Sequence, residues 1–251
     1  MNELSNAFSL LDVDVADEED LKRIVVASKG VNSAKKGKGK KGSQNHGGTT
    51  LTNDENNTDQ RAKEVYEEYR LPLVWIDLEM TGLNVEVDRI LEIACIVTDG
   101  NLTKSIEGPD LVIHQTVECL DKMGEWCRSH HGESGLTRRV LQSKLSEEEA
   151  EEQVVEFVKR HVGAYTPLLA GNSVYVDLLF LKKYMPKLAS LFPHVLVDVS
   201  SLKALCIRWY PRDNKKAPQK TNKHRAMDDI RESIAELKFY KDNIFKLKSR
   251  K

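Results

Sequence analysis

LVWIDLEMTGL, residues 73–83, places two carboxylates in an apolar run. Side chains of an extended strand alternate between faces, so Asp77 and Glu79, two residues apart, point the same way at the end of a segment that otherwise reads as buried. Two ionised carboxylates about 4 Å apart repel by roughly 4 kcal/mol at an effective dielectric of about 20, which calls for a positive partner. The nearest basic residue downstream, Arg89, follows a polar turn. A hard cation such as Mg2+ or Mn2+ binds carboxylate oxygens and explains why acids, rather than His or Cys, occupy the strand. Taken alone, D-x-E is common in acidic chains and decides nothing.

Composition narrows what such a strand serves. The chain has 251 residues, 40% hydrophobic and 31% charged, with a formal net charge of -1. That is an ordinary balance for a globular protein with a sizeable core, and it provides no overall basic field for gripping a long polyanion. A nucleic-acid ligand is therefore expected to be short or held locally. Cys95, Cys119, Cys127 and Cys206 form no C-x-x-C pair and sit among apolar neighbours, which reads as reduced, structural and intracellular. Cytoplasm is the first expectation, with mitochondrion and nucleus left open. No apolar run is long enough to span a bilayer, and residues 1–20 contain neither Lys nor Arg, which speaks against a secretory n-region or an Arg-rich transit peptide.

Residues 1–62 combine a short apolar patch, an acidic run, the tract KKGKGKKG from Lys35 and a polar Gly/Asn/Thr stretch. This segment has too little apolar material to offset chain entropy and is expected to be a disordered extension, its Lys tract either a solvated linker, a nuclear address or a weak RNA-binding arm. The folded domain is expected at 63–251. There AKEVYEEYR (62–70) reads as a lead-in helix, and LPLVWIDLE and RILEIACIVTDG as strands, with LTKSIEG and DLVIHQT continuing the strand run. Helical patterns follow in ECLDKMGEWCRSHH, LTRRVLQSK and SEEEAEEQVVEFVKRHV, the last opened by Ser146 and Glu149 in capping-box spacing. TPLLAG and VLVDV read as short strands between the helices DLLFLKKYMPKLASL and SSLKALCIRWY. The final HRAMDDIRESIAELKFYKDNIF carries Met227, Ile230, Ile234 and Leu237 on one stripe. Strands in series, then strands alternating with helices, imply an α/β fold with a mixed sheet covered by helices.

Two further acidic positions join the first pair. In AGNSVYVDLLFL, Asp177 opens a helix after a short strand, a place where an acid is also favoured by the helix dipole. In HRAMDDIRES, His224 precedes the adjacent acids Asp228 and Asp229, both off the apolar stripe, so periodicity does not choose between them. Carboxylates on separate elements plus one His are the parts of metal-assisted phosphodiester hydrolysis, with an imidazole to take the proton from water. No Cys/His quartet has zinc-ligand spacing, and no G-x-S-x-G elbow supports a serine hydrolase.

The ordered set Asp77-x-Glu79, Asp177 and His224-x-x-x-x-Asp229 resembles the DEDDh class of 3′-to-5′ exonucleases, which have a ribonuclease-H-like fold. Within it, WIDLEMTGL, LEIACIVTDG, EWCRSHHGESGL, AGNS, DVSSLK and HRAMDDIRESIAELKFY are similar to the oligoribonuclease family over nearly all of residues 70–245. The resemblance implies a mixed five-stranded sheet flanked by helices. It makes Asp77, Glu79, Asp177 and Asp229 ligands of two Mg2+ or Mn2+ ions and His224 the general base. It also implies a homodimer that degrades short single-stranded RNA, down to dinucleotides, to 5′-mononucleotides. Leu83 and Trp126 match positions that sandwich a base, and His131 and Ser173 match positions lining the dinucleotide and its phosphate. By helical spacing with Met123 and Cys127, Trp126 also reads as a core side chain. Bacterial members carry a Tyr-Arg pair shortly before DVS that reaches across the dimer, whereas this chain has His194 and Val195, so the Arg contact to phosphate is absent and the imidazole is left to stack or donate. The competing readings are an exonuclease of the same class acting on longer DNA or RNA, and an inactive RNA-binding module.

Overall fold

The computed structural model describes residues 69–218 and 225–245. The expected extension at 1–62, its boundary, and the AKEVYEEYR helix up to residue 68 lie outside the described residues; Tyr69 and Arg70 form part of a turn. Strands β1 (Leu73–Met80), β2 (Ile90–Thr98) and β3 (Ser105–Val112) come first. The short helices α1 (Val117–Leu120), α2 (Glu125–Glu133) and α3 (Leu136–Gln142) follow, then α4 (Glu147–Val162). Next come β4 (Leu168–Gly171), α5 (Tyr175–Tyr184), α6 (Pro186–Ala189), β5 (Leu196–Asp198), α7 (Val199–Trp209), α8 (Pro211–Asn214) and α9 (Ala226–Asn243). The five strands form one mixed sheet in the order β3-β2-β1-β4-β5. β1 runs antiparallel to β2 and parallel to β4, as expected for a strand series followed by alternating helices.

β1 and β2 are apolar almost throughout because helices cover both faces of the sheet. Val74, Ile76 and Leu78 face a core shared with Val154 and Val158 of α4 and Phe180 and Leu181 of α5. Leu73 and Trp75 face the opposite core, against Met227, Ile230, Leu237 and Tyr240 of α9. The two-residue alternation then carries Asp77 and Glu79 onto the α9 face, beyond the point where apolar contacts end. A third cluster gathers α1, α2 and α3 around Leu91, Leu120, Met123, Cys127, Leu136 and Val140.

Three expected elements are built differently. ECLDKMGEWCRSHH is two helices: α1 is capped by the Thr116 side chain, α2 begins after Gly124, and Arg128 satisfies the intervening carbonyls of Asp121 and Met123. DLLFLKKYMPKLASL breaks at Pro186, whose ring and missing N–H stop the helix. LTKSIEG and DLVIHQT contribute to a single edge strand, β3, whose register against β2 slips between Ala94 and Ile96 opposite Gly108 and Pro109. The capping box at Ser146 and Glu149 forms as expected. Among the described residues no helix is long and apolar enough to cross a membrane, and all four cysteines are free.

Candidate metal centre

Asp77, Glu79 and Asp229 each present a carboxylate oxygen within 4.8 Å of the others. The strand supplies two by its alternation, and α9 supplies the third because its apolar stripe docks beneath Leu73 and Trp75 and brings its first turn to the end of β1. The stripe leaves Asp228 and Asp229 undetermined, and neighbouring structure separates them. Asp228 accepts from Arg231 Nη1 at 2.7 Å, and Arg231 also grips Glu107 of β3, so Asp228 faces outward while Asp229 joins the cluster.

Asp177 enters from the other side of β1. β4 pairs with β1 only as far as Trp75, and farther along the strand the Leu78 N–H donates to Asp177 Oδ1 at 2.9 Å. The carboxylate thus meets the backbone between the two β1 acids. Gly171 closes β4 where a Cβ would lie 3.0 Å from the Ile76 carbonyl, so the AGNS turn needs glycine there to approach β1.

The cluster is electrostatically unfavourable without a cation. Burial, followed by Asp229, Glu92 and Asp177, pushes Glu79 up to about 8, against a downward pull from Arg225. Asp177 is also pushed up to about 8, by burial first, although the N–H of Leu78 and its own amide oppose the rise. Carboxyls held this far above their ordinary range, with oxygen as the sole donor type, fit a hard divalent cation.

His224 lies outside the described residues. Arg225, the next residue, is the N-cap of α9. Leu83 follows β1 and is half-buried against the core under α5. Its turn is held by Asp88, which accepts from Thr81 Oγ1 and the Asn84 N–H, and whose carboxylate a Cβ on Gly82 would meet at 2.5 Å. Trp126 packs half-buried against the third cluster, and its ring stacks on His130 with centroids 3.9 Å apart, so it serves partly as a core side chain. His131 is 2% exposed; its Nε2 donates to the Met80 carbonyl at 2.9 Å and its Nδ1 lies 3.9 Å from Glu79 Oε2. It therefore ties α2 to the end of β1 rather than lining open space.

Ser173 has φ +50, a left-handed conformation unusual for a non-glycine residue. Its N–H donates to Asp198 Oδ1 at 3.0 Å and Ser200 Oγ at 2.9 Å, which hold the strained turn in place. His194 is exposed just before β5, beside Val195 at 49% exposure. The sequence reading passed over Asp198, Ser200 and Glu92. For Glu92 a signal was present, since it is the one charged side chain in ILEIACIVT.

The family model described as Exonuclease (RNase T) matches residues 74–237. An oligoribonuclease of Arabidopsis thaliana is 73% identical over 179 residues, covering 71% of this chain and 81% of that protein. The oligoribonuclease of Pasteurella multocida is 52% identical over 177 residues, covering 70% and 96%. The human mitochondrial oligoribonuclease is 49% identical over 176 residues, covering 70% and 74%. Among solved structures, an Escherichia coli exonuclease I complex with single-stranded DNA superposes with a TM-score of 0.53 at 15% identity, over 70% of this chain and 42% of that one. At that identity the likeness bears on the fold, which is the ribonuclease-H-like arrangement expected.

Proposed function

Because this chain belongs to the oligoribonuclease family and carries its exonuclease domain, we propose that it is a metal-dependent 3′-to-5′ exoribonuclease converting short single-stranded RNAs, dinucleotides included, to 5′-mononucleotides. The observation that carries this reading is the convergence of Asp77, Glu79 and Asp229 within 4.8 Å on a half-buried, self-repelling site. Those three carboxylates, with Asp177 beside them, would hold two Mg2+ or Mn2+ ions. Bound ions supply positive charge for the attacking and leaving oxygens of the phosphodiester. His224 accepts the proton as water oxygen bonds to the terminal phosphorus and the bond to the 3′-oxygen of the preceding nucleotide breaks. Leu83 and Trp126 flank one base, an interaction worth about 1–3 kcal/mol per stacked base and indifferent to sequence. Ser173 and Ser200, with hydroxyls 3.1 Å apart, bind phosphate, and His131 holds the end of β1 against α2. His194 replaces the bacterial Tyr-Arg contact.

The active form is a homodimer. Leu205 and Trp209, one helical turn apart on α7, are 39% and 65% exposed, and Val195 on the neighbouring strand approach is also open. A second copy covering this face brings His194 toward its partner's site. Light scattering should give twice the chain mass, and Trp209→Glu should halve it; a monomeric wild type would contradict the assignment. The free cysteines accord with a reducing, intracellular setting, with cytoplasm the proposed location.

The activity is tested by turnover of labelled RNA in Mg2+ or Mn2+, with EDTA as the control. EDTA should abolish hydrolysis. Asp229→Asn should lose more than about 100-fold while Asp228→Asn stays within about threefold, and His224→Ala should lose roughly 100- to 10,000-fold while still binding RNA. Turnover that survives EDTA, or equal loss from the two aspartate variants, would overturn the proposed site.

A further inference from the structure

Glu92 is fully buried in β2 and stands directly across from Glu79 in the β1–β2 register. Like charges facing each other across a strand pair are unfavourable. A buried carboxylate is also a poor source of stability compared with an apolar side chain of similar size. What Glu92 does hold is two arginines. Arg139 Nη2 of α3 lies 2.8 Å from Glu92 Oε1, and Arg225 Nη2 lies 3.5 Å from the same oxygen.

Arg225 is the informative partner. It is the N-cap of α9, its carbonyl accepts the Asp229 N–H at 3.0 Å, and its side chain makes no capping bond to the helix. The tether to Glu92 therefore orients the residue that opens the helix bearing Asp229. Arg225 also opposes the upward push that Glu92 exerts on Glu79, so the pair places a cation behind the acidic cluster.

From this arrangement, and resting on the hydrolase reading above, we propose that Glu92 is a positioning residue for the reaction: it acts through Arg225 to fix the start of α9, and with it Asp229 in the first turn. It touches neither substrate nor reacting atoms. Small misplacements of a catalytic group cost rate rather than binding, so the loss should fall on kcat.

The test is a double-substitution cycle on the full chain with a dinucleotide and Mn2+. Arg225→Gln, whose side chain is 36% exposed in the native chain, should lower kcat by about tenfold or more, with KM within about threefold. Glu92→Gln should lower kcat similarly, and the double variant should be no slower than the slower single variant, because the two residues act in series. Arg225→Lys, which keeps the charge facing Glu92, should recover part of the loss, and this comparison decides the matter if Glu92→Gln does not fold. Wild-type kcat in Arg225→Gln, losses that multiply in the double variant, or no recovery with Lys would overturn the inference. A wild-type chain without metal-dependent turnover would instead remove the activity on which it rests.

Discussion

Glu79 and Asp177 hold their protons far into the neutral range, both pushed up to about 8 by burial, and Glu79 also by the carboxylates around it. In the unfolded chain both would titrate at about 4. Between these limits the folded state binds more protons than the unfolded state, so their contribution to stability is complete below the unfolded value and is lost as pH rises through the folded value. The metal-free protein should thus melt at a lower temperature at about pH 8.5 than at about pH 5.5, and Mg2+ or Mn2+ should restore more stability at the higher pH. Glu79→Gln should flatten the metal-free dependence; an equally steep slope in that variant would assign the effect elsewhere. Asp77 and Glu79 were legible in the sequence because a strand repeats every two residues whatever surrounds it. Periodicity did not choose between Asp228 and Asp229, since both lie off the apolar stripe; the family resemblance named Asp229, and in the structure Arg231 and Glu107, the latter on a strand more than a hundred residues earlier, separate them. The opposition of Glu79 and Glu92 was equally hidden, because it depends on the register of two strands.

The elements that build the site meet at β1, and Asp177 is the tie between β1 and α5. Its carboxylate serves the backbone of Leu78 as well as the acidic cluster, and the two duties separate by substitution. Asp177→Asn keeps an oxygen for the Leu78 N–H and should leave a stable, inactive protein. Asp177→Ala leaves that buried donor unpaired and should cost about 1–3 kcal/mol of stability in addition to activity. Urea unfolding distinguishes the two, and equal stability of both variants would contradict the tie. The dipole reading of Asp177 as a first-turn acid was compatible with the sequence, but nothing local could show that β4 stops short and leaves β1 an N–H to satisfy. Long elements were read well where the apolar period was sustained, as in α4, β2 and α9. Breaks were missed at Gly124 and Pro186, although both residues carry known stop signals, because the apolar pattern runs on across them.

For the whole molecule, the balance of charges bears on substrate length. A formal net charge of -1 gives no broad attraction for a polyanion, and the groups assigned to substrate binding suffice for one stacked base and its neighbouring phosphate. With no net positive charge to attract the backbone, extra nucleotides on the 5′ side should gain little affinity. The mixed sheet and its covering helices were legible from the alternation of strands and helices, whereas the strand order follows from pairing between distant segments, and any contribution of residues 1–62 depends on segments outside the described fold. Substrate length is decided by kcat/KM at fixed salt, with Mn2+ present, for RNAs of about two to seven nucleotides, measured for the full chain and for one starting near Ala62. Dinucleotides should be cut at least as efficiently as hexanucleotides by both chains. Efficiency that rises steadily with length in both would contradict a site built for the shortest RNAs and identify a general exonuclease.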